Sequence, residues 1–185
     1  MSDNRRTQRV SKSEWLEASL EVLEHEGVDA VRVQRLARKL QISKSGFYWH
    51  FKDRKDLLQQ LLDYWAHEYT EILSENELLL SLEPRERLYQ IARMIDRHNL
   101  DKYDVVVHTW AKTDPLARAA AEKVTKIRLD FLRKIFRELG FDREQVEMRA
   151  VLFVVYHSWE RTTFTGMSDR KRASLRKLRL ELLTS

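Results

Sequence analysis

Helix-breaking residues are almost missing from this chain, which has four glycines and two prolines in 185 residues. Average usage would supply about 12% of the two together, or roughly twenty. A β-sandwich or barrel turns its chain about every 8–12 residues and draws on glycine and proline to do so. A glycine-rich phosphate loop is excluded too, because no two glycines lie closer than 19 residues. The fold class that remains is all-α.

At 43% hydrophobic and 34% charged, the chain is globular. It has no cysteine, which removes disulfides, thiolate metal sites and cysteine nucleophiles together. The longest apolar run, Ala150 to Tyr156, is seven residues, against about 20 for a membrane span. Arg5, Arg6 and Arg9 lie among polar residues with no apolar signal core, so a cytoplasmic protein with no membrane partner is expected. His25-Glu26 lacks the second histidine of a zinc-protease helix. His157 and Ser158 are neighbours on one helix and point apart, so they form no nucleophile–base pair. The expectation is a protein that is not an enzyme and needs no metal or cofactor.

Charge is unevenly spread. Residues 31–55 hold eight basic side chains and one acid, Asp53, whereas the segment 14–26 carries five glutamates and no lysine or arginine. A charge run alone is usually a solvated face. This one coincides with an ordered helical pattern containing aromatics, which points to an anionic partner such as nucleic acid.

The few breakers punctuate periodic segments. Ser11 to Glu14 has capping-box spacing, and Gly27 closes the helix that follows. A short helix begins at Arg32 or Val33, with Leu36, Ala37 and Leu40 on one face. After the turn Gln41-Ile42-Ser43, Ser43 is placed to cap a second short helix over 44–50. Asp53 can cap a long helix over 56–80, with the stripe Leu57, Leu58, Leu61, Leu62, Trp65, Tyr69, Ile72 and Leu73. Further helices are expected over 84–100, 101–112, 115–139 and 142–165. The last of these is apolar on nearly every side, so one side calls for another subunit. A basic helix over 170–183 would turn Leu175, Leu178 and Leu182 inward.

Residues 33–51 have helix-turn-helix spacing. The stretch from Leu36 through Gln41-Ile42-Ser43-Lys44-Ser45-Gly46-Phe47-Tyr48-Trp49-His50-Phe51 resembles the signature of TetR-family transcriptional regulators, and the resemblance covers about residues 11–62. The family usually has glycine in the turn where this chain has Gln41, and often a threonine cap where it has Arg32-Val33. Lys44, Ser45 and Gly46 sit at the N-terminal end of the second helix, the part that enters a major groove. Gly46 either relieves packing against the first helix or allows close approach to DNA. Phe47 and Phe51 belong to the small core. The resemblance implies phosphate contacts for Tyr48 and His50. Trp49 either packs or lies against sugar and thymine methyl. Lys52, Arg54 and Lys55 surround the start of the long helix, where cations and helix dipole both attract phosphate. Gln34 and Arg38 are further backbone candidates.

The expected organisation is a DNA-binding domain over 1–55 and a regulatory domain over 56–185 that holds a ligand cavity and the dimer interface. Helices 115–139 and 142–165 are long enough for a four-helix bundle across a two-fold axis. That symmetry implies a homodimer on a palindromic operator, with repression as the family's default output. Trp65, Tyr69, Met94, His98, Tyr103, Val107, Trp110, Phe153, Tyr156 and His157 are candidates to line a cavity for a small, largely apolar or aromatic effector. Such a ligand would act on the reading helices through the long helix starting at Asp53. The alternative is a helical adaptor that binds an acidic protein partner through its basic face.

Overall fold

The computed structural model describes residues 10–185; Arg5, Arg6 and Arg9 lie outside them. Every regular element among the described residues is helical. The chain forms two compact units, one ending at Tyr64 and one running from Trp65 to Ser185. The division falls later than the 55/56 boundary drawn from composition, because Leu57, Leu58 and Leu61 are buried side chains of the first unit.

The first unit is built from α1 (Lys12–Glu26), α2 (Val33–Lys39), a 3₁₀ segment (Lys44–Trp49) and most of α3 (Arg54–Ala66). The capping box at α1 forms as its spacing predicts. The Ser11 amide donates to Glu14 Oε2 at 2.7 Å, and the Glu14 amide donates to Ser11 Oγ at 3.3 Å. Gly27 ends α1 at φ 81°, with its amide on the Leu23 carbonyl. Asp53 caps α3 by accepting from the Asp56 amide at 2.8 Å, while Asp56 accepts from the Lys52 amide at 2.8 Å. Trp15, Phe47 and Phe51 form an aromatic core with ring centroids 5.1–5.5 Å apart, so Phe47 and Phe51 sit where the sequence puts them.

The second helix of the helix-turn-helix departs from expectation. It is a tighter 3₁₀ turn over 44–49 instead of an α-helix over 44–50. Ser43 caps nothing with its side chain; its hydroxyl shares a 2.7 Å hydrogen bond with Ser45. Gln41 takes φ 56°, the left-handed conformation its place in the turn requires.

The second unit begins with a π-helical turn (His67–Glu71) and the short pieces α4 (Ile72–Ser74) and α5 (Glu77–Leu80). It continues through α6 (Pro84–His98), α7 (Asp104–Trp110), α8 (Pro115–Glu138), α9 (Arg143–Thr163) and α10 (Asp169–Thr184). The single helix expected over 56–80 is therefore interrupted. The wider turn rotates the side chains that follow, so Thr70 is buried and Ile72 is 42% exposed, against the order of the apolar stripe. Asp114 and Asp142 cap α8 and α9, and Gly140 at φ 88° lets the short link between these long helices reverse. Leu88, Ile91, Leu132, Ile135, Phe136, Ala150 and Phe153 make the core between α6, α8 and α9.

The inward face of α10 is also corrected. Leu178 and Leu182 are exposed, Leu175 is half-buried, and Arg172, Leu180 and Leu183 are buried instead. Arginine stems cover apolar surface while their heads reach carboxylates, so a leucine count misjudges such a face. No described helix is long and apolar enough to cross a membrane.

Candidate nucleic-acid interface and effector cavity

The first unit sorts its basic residues into two sets. Arg35 pairs with Glu26 through two hydrogen bonds of 2.6 and 3.1 Å, and Lys39 pairs with Glu21 at 2.9 Å. The acidic face of α1 thus ties down α2. Arg54 is anchored as well, donating from Nε and Nη2 to the backbone carbonyls of Val31 (2.8 Å) and Val28 (2.6 Å). It fixes the turn that leads into α2, and two of its guanidinium nitrogens are turned to that task. His50 is half-buried, with Nε2 3.0 Å from the Val10 carbonyl, so that nitrogen carries the proton and donates inward.

The remaining candidates face solvent. Gln34, Arg38, Lys44, Ser45, Lys52 and Lys55 are all exposed. Tyr48 is 65% and Trp49 76% exposed. Two adjacent aromatics standing in water are unusual unless a partner covers them. Packing does not require glycine at position 46, since a Cβ there would meet only Ile42 Cδ1 at 3.8 Å. Tyr48 keeps its direction through an edge-on contact with the buried Phe47 ring at 5.2 Å.

In the second unit, a partly open cavity of about 50 Å³ lies among the π-turn, α4, α6, α8 and α9, with the segment leading into α7. Of the ten side chains put forward from sequence, Tyr69, Phe153 and His157 line it. Trp65, Val107 and Trp110 are buried elsewhere, and Tyr103 stands behind Tyr69 in an edge-on contact at 5.2 Å. Met94 is half-buried outside the lining and His98 is exposed. Tyr156 also stays outside, donating to Glu160 Oε1 at 3.0 Å with the Arg179 guanidinium 3.7 Å from its ring.

The polar part of the cavity was not anticipated. Arg128 grips the fully buried Asp104 with both terminal nitrogens, one of them to Asp104 Oδ1 at 3.0 Å. Its Nε donates to Thr70 Oγ1 at 2.9 Å, and Ser158 Oγ donates to Asp104 Oδ2 at 2.8 Å. Arg128 lies on the apolar stripe of α8 between Val124 and Phe131, and a charge in such a stripe is the signal that was available. Asp104 looks like a helix cap in sequence, and nothing local marks it as buried.

His157 is neutral in this setting. Nδ1 donates to the Phe153 carbonyl at 2.8 Å, and Nε2 accepts from Arg179 Nη2 at 3.1 Å. Burial first, then the neighbouring Arg179 charge, push its pKa down to about 3. Burial also raises the Asp101 carboxyl, against the opposing pull of Arg161, and lowers His108.

Residues 16–61 match the family of bacterial regulatory proteins called the tetR family. The tetracycline repressor protein class D of Escherichia coli is 36% identical over 53 residues, which is 29% of this chain and 24% of that protein. The chain spans about a quarter of the length of the curated relatives it first matches. Over nearly the whole fold it resembles a transcriptional regulator from Rhodococcus sp. Rha1, with a TM-score of 0.74 at 15% identity, covering 94% of this chain and 96% of that one. It also resembles the transcriptional regulator FadR from Bacillus subtilis in complex with stearoyl-CoA, with a TM-score of 0.67 at 21% identity, covering 95% and 98%. The match to the tetR family thus covers the helix-turn-helix segment, and over the rest of the chain the likeness to these regulators is one of fold.

Proposed function

We propose that this protein is a DNA-binding transcriptional regulator that acts as a homodimer on a palindromic operator and is released from it by a small ligand. The observation that carries this reading is the pairing of exposed Tyr48 and Trp49 with exposed Lys44 and Ser45 on a segment whose underside is the buried Phe47. A rigid base with polar and aromatic tips suits groove and backbone contacts. In this reading Gln34, Arg38, Lys44, Ser45, Gly46, Tyr48, Trp49, Lys52 and Lys55 meet DNA, while His50 and Arg54 hold the interface in shape.

An apolar stripe on α9 supports the dimer. Met148, Leu152, Val155 and Trp159 are 40–60% exposed and recur at helical spacing. The opposite side of α9 packs on α8, so a second subunit would complete the burial that its all-round apolar sequence requires.

The cavity supports a ligand with apolar bulk and a polar end that meets the Arg128–Asp104–Ser158 cluster. Its present volume of about 50 Å³ holds a few waters, whereas typical small-molecule sites run to about 300–1,000 Å³. Binding therefore widens it. The π-turn that supplies Tyr69 and Thr70 follows directly on α3, whose first residue is Arg54 beside the reading segment. A ligand that displaces this turn has a continuous helix through which to favour one of two states. Repression, with release by the ligand, is the output proposed.

Footprinting of the chain's own upstream region tests the reading. A protected, two-fold symmetric sequence with half-sites about one helical turn apart is expected. Protection of a single unrepeated site would overturn the homodimer and the palindrome.

A further inference from the structure

We propose that the groove bounded by α6, the end of α9 and α10 binds a small phosphate-bearing molecule. The groove has a volume of about 370 Å³ and is lined by Arg93, Arg97, Arg161, Arg172 and Arg176, with Asp96 and Asp169 as its carboxylates. Those acids do not balance the arginines. Asp96 is already shared between Arg161 and Arg176, and Arg172 is paired with Glu160 at 3.2 Å. Arg93 and Arg97, one turn apart on α6, are exposed and have no ion-pair partner among the described residues.

The walls of the groove are also incompletely satisfied. The Arg172 side chain is 8% exposed, and its Nη1 meets Glu160 Oε1 at 3.2 Å as an ion pair without hydrogen-bond geometry. Nε of the largely buried Arg176 has no hydrogen-bond partner among the described residues. A purely structural ion network would bring opposite charges together in equal number and would close on itself. Here Arg161, Arg172 and Arg176 are matched by Asp101, Glu160 and Asp96, and Arg93 and Arg97 are left over against the single carboxylate of Asp169, which raises the local concentration of anions. Planar guanidinium groups match phosphate oxygens with paired hydrogen bonds, so phosphate is the fitting chemistry.

The groove also touches the cavity through one ion pair. Arg161 Nε lies 3.3 Å from Asp101 Oδ2, and Asp101 lines the cavity while Arg161 lines the groove. An anion that draws Arg161 toward itself loosens its hold on Asp101, so occupation of either site changes affinity at the other. The groove stands on its own chemistry, whether or not the first unit binds DNA.

The test is calorimetric titration of inorganic pyrophosphate into the full chain at constant ionic strength. Saturable one-site binding is expected. The double variant Arg93→Gln/Arg97→Gln should weaken it by about tenfold or more, equivalent to about 1.4 kcal/mol. Both positions are exposed, so the thermal midpoint without ligand should stay put. The variant Lys44→Gln/Lys52→Gln, which alters the other basic surface, should bind as the parent does. Unsaturable heats, undiminished binding in the arginine variant, or loss confined to the lysine variant would each overturn the site.

Discussion

The two units solve opposite problems with similar side chains. The first keeps its core apolar and sets its chemistry outside: Phe47 is buried, and its neighbours Tyr48 and Trp49 stand in solvent. The second takes a charge pair inside, where Asp104 is 1% exposed and meets Arg128 and Ser158, while Arg128 also donates to Thr70. An exposed contact surface can lose a side chain and keep its fold. A buried ion pair cannot lose one partner without leaving the other charge stranded.

That contrast gives the largest effect to look for. Asp104→Ala should cost about 3–5 kcal/mol of stability, because it leaves Arg128 buried and unpaired. Urea unfolding would measure it, and a loss below about 1 kcal/mol would mean that water reaches the pair. Next in size is Tyr48→Ala, with an expected loss of about 10–100-fold in DNA affinity, or about 1.4–2.7 kcal/mol. Its melting temperature should not move, since the ring is 65% exposed.

A third effect separates the units by pH. His157 stays neutral in the folded chain down to about pH 3, whereas in the unfolded chain it takes up a proton near its ordinary value of 6.5. Below pH 6.5 the unfolded state binds the extra proton, so stability falls as the pH drops. The slope is about 1.4 kcal/mol per pH unit for one such group. Asp101, whose carboxyl is raised, works in the other direction and offsets part of the loss. His157→Gln should flatten the acid limb between pH 6.5 and 5, read from denaturation midpoints. An unchanged limb would place the acid sensitivity elsewhere. The smallest effect is at the turn: Gln41→Gly should stabilise the first unit by about 0.5–1 kcal/mol by relieving the left-handed conformation.

The same contrast explains what could be read from sequence. The helix-turn-helix is a contiguous stretch, so its turn and the buried Phe47 and Phe51 are legible residue by residue, whereas the expected Ser43 cap does not form. Even the positive φ of Gln41 follows from its place in the turn. What is not legible there is which cations are already committed, because Arg54 meets Val28 and Val31 across more than twenty residues. The cavity draws Thr70, Asp104, Arg128 and Ser158 from positions far apart in the chain. Apolar residues at helical spacing pointed instead to Trp65, Val107 and Trp110, which are core. The π-turn at His67–Glu71 left no local mark, and it shifted the stripe on which Tyr69 and Ile72 were placed.

The most direct measurement is DNA binding by the full chain to its own upstream region at two salt concentrations, with Tyr48→Ala beside it. Affinity should fall steeply between about 50 and 200 mM salt, as phosphate contacts release counterions. The variant should bind at least about tenfold more weakly at both. Binding that ignores salt, or a Tyr48→Ala protein that binds like its parent, would contradict the reading of this exposed aromatic and basic segment as the DNA-contacting surface.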